Sequence, residues 1–154
     1  MTMWILFLDI DGVMLLHRQK RFDPEAVKNL SRIVRYTGCK IVVSSAWRFR
    51  YTLSQLQNTF TTNGCEESTR PFSVTNPCIQ SRSQAILRYL EEHSDVEGYV
   101  VVDDYQVMGV ENLIRTDPRR GLGRLDSIEV LRSFLDQGCI SQQTFDERSG
   151  MFRR

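Results

Sequence analysis

The chain alternates between short runs of consecutive apolar residues and longer stretches in which apolar residues recur at every third or fourth position. Short apolar runs are typical of strands that are buried on both faces, whereas the longer spacing is typical of helices that bury one face. Strands are therefore predicted at four places along the chain, namely 4–8, 40–44, 99–102 and 112–116.

Four helices are predicted between and after these strands, each from its capping residues. The first begins after Asp23, carries Pro24 in its first turn and ends at Gly38, which are the residues that favour the two ends of a helix. The others are predicted to begin at Thr52, at Ser81 or Ser83, and at Asp126, the last of them ending at Gly138.

Two segments have no periodic pattern. Residues 64–80 are rich in Pro, Asn, Ser and Thr and are predicted to form a loop. The segment from Ser141 is polar, and we expect a loosely held tail there. We accordingly divide the chain into a folded domain at 1–140 and a polar C-terminal tail at 141–154.

Strands that alternate with amphipathic helices predict an α/β fold with a mainly parallel sheet. We expect a three-layer, Rossmann-like sandwich with helices on both faces of the sheet. Such sheets bind ligands at the carboxyl ends of their strands. Four carboxylates and two hydroxyls are predicted to meet there, from Asp9, Asp11, Ser44, Ser45, Asp103 and Asp104.

Composition and charge narrow the class of protein. Twenty Lys and Arg against nineteen Asp and Glu give a net charge of +1, so a polyanion would have to be held by a local patch. The longest apolar run, 3–8, is too short to span a membrane, and we expect a cytoplasmic protein. The four cysteines are scattered and lack the spacing of a zinc site.

The predicted carboxylates repel one another, so we expect a cation among them and, without it, at least one raised carboxyl pKa in the folded protein. Oxygen ligands without Cys or His favour a hard cation, and we expect Mg²⁺. One family with clustered aspartates, the receiver domain of response regulators, is disfavoured. It needs a lysine after a late strand, and this chain has none beyond Lys40.

The sequence FLDIDGV at 7–13 instead resembles the first motif of the haloacid dehalogenase (HAD) superfamily of aspartyl-phosphate phosphatases. The resemblance continues in Ser44 after the second strand, in Arg82 at the start of a helix, and in the apolar strand that ends in two aspartates at 100–104. Residues 42–48, with Thr116-Asp117 and Gly121-Leu122, are similar to a small HAD subgroup without a cap domain that is associated with nucleic-acid repair proteins.

The resemblance implies a role for each residue of the site. Asp9 would be the nucleophile, expected to be ionised at neutral pH because an ordinary Asp has a pKa of about 3.9. Asp11 would protonate the leaving oxygen and then activate water. Arg82 and Ser44 would bind the phosphate, with Ser45 as a competitor for the Ser44 role.

Three further assignments complete the predicted site. Mg²⁺ would bind Asp9, the main-chain carbonyl of Asp11, and Asp104, and the pattern leaves open whether Asp103 also binds it directly. Gly12 would leave space near the phosphate. Arg48 would contact substrate or form a surface ion pair.

We therefore predict a magnesium-dependent phosphomonoester hydrolase with an aspartyl-phosphate intermediate. The segments between the motifs are too short for a full cap domain, so the site would be open to a phosphorylated RNA or DNA end, held by Arg48, Arg119 and Arg120. The alternatives are a phosphatase or nucleotidase of low selectivity for small molecules, and a non-catalytic binding module with the same fold.

Overall fold

Five parallel strands form one sheet in the computed structural model, which describes residues 2–150. Their order across the sheet is β3-β2-β1-β4-β5. In chain order the strands are β1 (Met3–Leu8), β2 (Lys40–Val43), β3 (Pro71–Val74), β4 (Val96–Asp103) and β5 (Leu113–Arg115). The helices are α1 (Pro24–Thr37), α2 (Leu53–Thr62), α3 (Arg82–Glu92), α4 (Arg124–Asp136) and α5 (Gln142–Ser149), with short 3₁₀ turns at Ala46–Phe49 and Glu67–Thr69.

The central strand is β1, in which Phe7 pairs with Val42 of β2 on one side and with Val101 of β4 on the other. The chain runs outward from β1 through β2 to β3 and then crosses back to β4. The strand order therefore reverses between β1 and β4, and a crevice for ligands opens at the carboxyl ends of these two strands.

Side chains of β1 point alternately into two apolar cores. Leu6 and Leu8 pack in the core that also contains side chains of α1, α2 and α4. Ile5 and Phe7 pack on the opposite face, against Ile86 of α3. Helices thus cover both faces of an all-parallel sheet, which confirms the predicted three-layer α/β fold.

Several predicted helix ends are confirmed by their hydrogen bonds. The Asp23 carboxylate accepts a hydrogen bond from the Ala26 N–H, and Gly38 takes the left-handed conformation that ends α1. Thr52 caps α2, and Ser81, rather than Ser83, caps α3. Asp126 is not a cap, because α4 begins two residues earlier, after Gly123. Its carboxylate instead accepts a hydrogen bond from the Gly123 N–H at 2.9 Å.

The predicted loop at 64–80 is wrong for Pro71–Val74, which form the edge strand β3. An edge strand tolerates proline at its start, and only its partner β2 supplies the ladder. Only one of the four residues of β3 is buried, so the strand has no run of consecutive apolar residues by which it could be predicted.

The C-terminal segment also differs from the expected loose tail. Ser141 caps α5, and Phe145 of that helix is buried beside Leu131 of α4. Residues 151–154 of the predicted tail lie outside the described residues, and the domain boundary at 140 stays a prediction.

Two negative findings concern residues 2–150. No helix among them combines the length and the apolar character needed to cross a bilayer. No separate domain is inserted between β1 and β2, where the only helix is α1. This agrees with the expected absence of a full cap domain.

Candidate active site

Three carboxylates meet where β1 and β4 end. One oxygen from each of Asp9, Asp103 and Asp104 lies within 4.8 Å of the others. Asp9 and Asp103 are fully buried, and Asp104 is half-buried. The crevice between these two strands therefore concentrates negative charge, as the sequence predicts, although the Asp11 carboxylate is not part of the cluster.

One cation among residues 2–150 lies against this acidic cluster and offsets part of its charge. Arg82, the first residue of α3, donates from Nη1 to both carboxylate oxygens of Asp103 at 2.8 Å. The same nitrogen lies 3.4 Å from Asp9 Oδ2. Three carboxylates against one guanidinium leave two negative charges uncompensated in a largely buried site.

The charge imbalance changes the protonation of Asp9. Burial and the neighbouring Asp103 carboxylate raise the pKa of Asp9 to about 8, although Arg82 opposes the rise. Burial also raises the pKa of Asp103, against the opposing effect of Arg82. The expected rise of at least one carboxyl pKa is thus confirmed, but the expectation that Asp9 is ionised with an ordinary pKa is wrong for the metal-free protein.

The donor set fits a hard divalent cation. Asp9 Oδ2 is buried and accepts no hydrogen bond from the described residues, whereas Oδ1 accepts one from the Ile10 N–H at 2.8 Å. Asp104 uses its main-chain carbonyl to accept a hydrogen bond from Arg115 Nε, at 3.1 Å. Clustered carboxylate oxygens without sulfur or imidazole suit Mg²⁺, and two positive charges match the deficit.

Gly12 permits the close approach of the first loop to Asp104. Its φ of +83° lies in the left-handed region, and an added Cβ would lie 2.6 Å from the Asp104 Cγ. Any side chain at this position would therefore displace the Asp104 carboxylate. The space that the sequence analysis expected beside a phosphate is filled by Asp104.

The loop after β1 is fixed by residues that lie far away in the sequence. The buried Thr116 hydroxyl donates to the Gly12 carbonyl at 2.8 Å, and the Leu122 N–H donates to the Val13 carbonyl at 2.8 Å. The Leu122 carbonyl in turn accepts a hydrogen bond from Asn29 of α1. Thr116 and Leu122 belong to the sequence pattern that resembles the HAD subgroup. Their contacts show that both residues hold the loop after β1 in place.

The two serines after β2 have different surroundings. The Ser45 hydroxyl accepts a hydrogen bond from the Trp47 N–H at 3.1 Å and so caps the 3₁₀ turn. The Ser44 hydroxyl is buried and has no partner among the described residues. The Ser44 hydroxyl is thus entirely without a protein partner in the described part of the chain, whereas the Ser45 hydroxyl is engaged as an acceptor and keeps its O–H as a donor.

Arg48 has a different place from the one that the sequence analysis expected. It is buried, and its guanidinium donates to four main-chain carbonyls, those of Ser44, Ser45, Ile79 and Gln80, at 2.8–3.2 Å. Burial lowers the pKa of Arg48, and the nearby Arg82 lowers it further. Arg48 thus ties the end of β2 to the segment that leads into α3, and it forms neither a surface ion pair nor part of an exposed patch.

Asp11 is exposed, and its Oδ2 accepts a hydrogen bond from the Trp47 indole N–H at 3.0 Å. The Trp47 side chain is half-buried, packs on the core and contacts the Tyr51 ring. The sequence analysis missed this contact, because the spacing of 36 residues between the two partners carries no pattern.

Two other predicted basic residues lie at the surface. Arg119 and Arg120 are exposed in the loop before α4, where the Asp117 carboxylate accepts a hydrogen bond from the Arg119 N–H. They follow Pro118, which lines a cleft together with Asp11 and Asp104. These two arginines are the part of the predicted basic patch that is exposed.

The chain matches the model of a known protein family. A family model described as "HAD domain in Swiss Army Knife RNA repair proteins" matches residues 5–126. The matched part runs from β1 into α4 and includes Asp9, Ser44, Arg82 and the two aspartates that follow Val102. No curated protein and no solved structure matches the chain.

The raised pKa of Asp9 predicts that the metal-free protein loses stability as the pH rises from about 4 to about 8. In this range the unfolded carboxyl is ionised and the folded one is protonated, so unfolding releases a proton and is favoured by higher pH. We expect melting temperatures in chelator to fall over this range in the wild type and to fall less in Asp9→Asn.

Mg²⁺ at a hundred times its dissociation constant should restore about 2.7 kcal/mol, or about 5–10 °C, at pH 7.5. Equal melting temperatures with Mg²⁺ and with chelator would contradict the metal site.

The Arg48 contacts predict a large structural effect of its removal. Arg48→Met leaves four main-chain carbonyls, two of them in buried residues, without their donor and should lower the free energy of unfolding by about 3 kcal/mol. The matched control is Arg50→Met, which changes an exposed arginine two residues away and should cost under about 0.5 kcal/mol. Urea unfolding measures both, and equal midpoints for the two variants would contradict the role of Arg48.

Proposed function

The chain belongs to the family of HAD domains in Swiss Army Knife RNA repair proteins, and from this premise we propose that it is a magnesium-dependent phosphomonoesterase whose nucleophile is Asp9. The observation that carries the proposal is the buried Asp9 Oδ2, which has no hydrogen-bond partner among the described residues and lies in a cluster with Asp103 and Asp104. Arg82 lies 3.4 Å from this oxygen.

In the proposed reaction Asp9 Oδ2 forms a bond to phosphorus while the bond from phosphorus to the ester oxygen breaks. The leaving oxygen takes a proton from Asp11. In the second step Asp11 takes a proton from water, the water oxygen bonds to phosphorus, and Asp9 is released with inorganic phosphate. Trp47 holds Asp11 by Oδ2, which leaves Oδ1 to carry the proton.

Ser44 and Arg82 are the proposed phosphate ligands of the chain. The free Ser44 hydroxyl would donate to one phosphate oxygen. Arg82 uses Nη1 for the carboxylates, so Nη2 and Nε can donate to a second oxygen. Preorganised donors of this kind stabilise charge that moves onto the phosphoryl oxygens in the transition state.

The two aspartates after β4 would have separate tasks. Asp103 is occupied by Arg82 and by the Tyr105 N–H at 2.9 Å, and we assign to it the orientation of Arg82. Asp104 would bind the metal together with Asp9 and the Asp11 carbonyl. When bound, Mg²⁺ would offset the excess negative charge, favour ionised Asp9 and polarise a phosphate oxygen.

A phosphorylated end of RNA or DNA is the proposed substrate. The membership in an RNA repair family supports it, and so does the absence of an inserted domain between β1 and β2. A site without a lid accepts a bulky substrate, and the exposed Arg119 and Arg120 directly follow Pro118, which lines the cleft that contains Asp11. We propose a cytoplasmic location for this activity.

Two other functions remain as alternatives. A phosphatase or nucleotidase for small molecules would use the same chemistry and differ only in selectivity. A non-catalytic binding module is less consistent with the site, because Asp9 and Asp11 are both present and the acidic cluster is intact.

Replacing the nucleophile tests the proposed mechanism. Asp9→Asn removes the anionic oxygen and should lower kcat for a phosphomonoester in the presence of Mg²⁺ by about 1,000-fold or more. Asp95→Asn, a change at an exposed aspartate before β4, is the matched control and should leave kcat unchanged. Turnover by Asp9→Asn at the wild-type rate would exclude an aspartyl-phosphate on Asp9.

Substrate size separates the proposed function from its first alternative. We expect kcat/KM for a 3′- or 5′-phosphorylated oligonucleotide to exceed that for the matching mononucleotide by about tenfold, or 1.4 kcal/mol. The preference should shrink at high salt and in the double variant Arg119→Gln/Arg120→Gln, because phosphate contacts depend on charge. A tenfold preference for the mononucleotide would favour the small-molecule phosphatase.

A further inference from the structure

A cleft of about 300 Å³ opens beside the acidic cluster, on the face of the sheet that carries α3. Its walls are the start of α3 and the segment after the two clustered aspartates of β4. We call it the Tyr105 cleft, and its principal lining residues are Ser81, Arg82, Tyr105, Gln106, Val107 and Met108. It shares no lining residue with the cleft that contains Asp11 and Asp104.

The two ends of the Tyr105 cleft differ in chemistry. Its inner end contains Arg82, which lines the cleft and lies 3.4 Å from Asp9 Oδ2. With Mg²⁺ offsetting the carboxylates, this guanidinium would bind an anionic group. The rest is mainly apolar, with Val107 buried in the α3 core and with Tyr105 and Met108 exposed by 68% and 71%. A complementary ligand therefore has an anionic group at one end and a flat apolar body at the other.

We propose that the Tyr105 cleft binds the base of the nucleotide whose phosphate lies on Arg82 and Ser44. The proposal rests on the proposed phosphatase function and identifies its substrate as a nucleotide unit rather than a phosphorylated sugar or protein. A base stacks on an exposed aromatic ring whatever its sequence, and the Gln106 amide can both donate to and accept from a base edge. The volume lies at the low end for ligand sites, which suits a single nucleotide unit.

The geometry allows the ring of Tyr105 to be tested without disturbing the acidic cluster. The main-chain N–H of Tyr105 donates to Asp103 Oδ1 at 2.9 Å, and any residue except proline keeps this bond. The side chain is exposed, so its removal leaves no cavity in the core. Tyr105→Ala therefore removes the stacking surface alone, whereas Tyr105→Phe keeps it.

The experiment compares kcat/KM for adenosine 5′-monophosphate with that for ribose 5-phosphate, in the presence of Mg²⁺. Adenosine 3′-monophosphate and ribose 3-phosphate form a second arm, because the cleft does not select which hydroxyl carries the phosphate. In at least one arm the wild type should prefer the nucleotide. Tyr105→Ala should lower that preference by about 5- to 150-fold, the range measured for loss of base stacking.

Two control variants make the result specific. Tyr105→Phe should retain the preference for the nucleotide. Phe72→Ala removes an aromatic ring that is 48% exposed on the edge strand β3, away from the cleft, and should leave both substrates unaffected. Hydrolysis of ribose phosphate should also be unchanged in Tyr105→Ala, since that substrate has no base.

Three outcomes would overturn the proposal. One is an equal loss for nucleotide and sugar phosphate in Tyr105→Ala, which would indicate a structural role. Another is equal hydrolysis of both substrates by the wild type in both arms, which would leave the phosphatase in place and remove the base site. If the wild type hydrolyses neither substrate, calorimetric titration with the same compounds tests the cleft. Equal affinities for nucleotide and sugar phosphate would reject it. If the wild type also fails to hydrolyse a phosphorylated oligonucleotide, the proposed function fails.

Discussion

The structure depends on three carboxylates that share one guanidinium at the carboxyl ends of β1 and β4. Water cannot screen the charges of Asp9 and Asp103, because both are fully buried. The excess negative charge must therefore be reduced by protonation or offset by a bound cation. The raised pKa of Asp9 describes the first case, and a magnesium ion would provide the second. The same deficit thus links the stability of the fold to the ionisation of the proposed nucleophile.

The rest of the chain holds this unfavourable arrangement in place through two sets of contacts. Thr116 and Leu122 fix the loop after β1, so that Gly12 lies against Asp104. Arg48 joins the end of β2 to the segment before α3, and this contact positions both Ser44 and Arg82. Each of these anchors forms hydrogen bonds with main-chain groups of the segments that carry the site residues.

Much of this arrangement could be predicted from the sequence, because the carboxyl ends of parallel strands must meet at one edge. Asp9 and Asp103 were placed together by that rule alone. The edge strand β3 could not be predicted, since a four-residue strand acquires its identity from pairing with β2. The role of Arg48 was hidden for a related reason. Main-chain carbonyls are its partners, and these leave no trace in residue identities.

The pKa of Asp9 illustrates a different limit of sequence reasoning. The residue type alone predicts an ordinary carboxyl pKa. The repulsion between clustered aspartates predicts that at least one of these pKa values is raised. Which aspartate carries the larger change depends on burial and on the position of Arg82, and both are properties of the fold. Burial alone would lower the pKa of Arg82, but the nearby carboxylates of Asp9 and Asp103 outweigh it, so the pKa of Arg82 is raised.

The central claim is that a divalent cation replaces a proton on Asp9, and calorimetric titration of Mg²⁺ at pH 7 tests it most directly. Repeating the titration in buffers of different ionisation enthalpy counts the protons that are released on binding. With a pKa of about 8, Asp9 is largely protonated before binding, so the account predicts the release of close to one proton per ion in the wild type and none in Asp9→Asn. Binding of Mg²⁺ without proton release, or no binding at all, would contradict it.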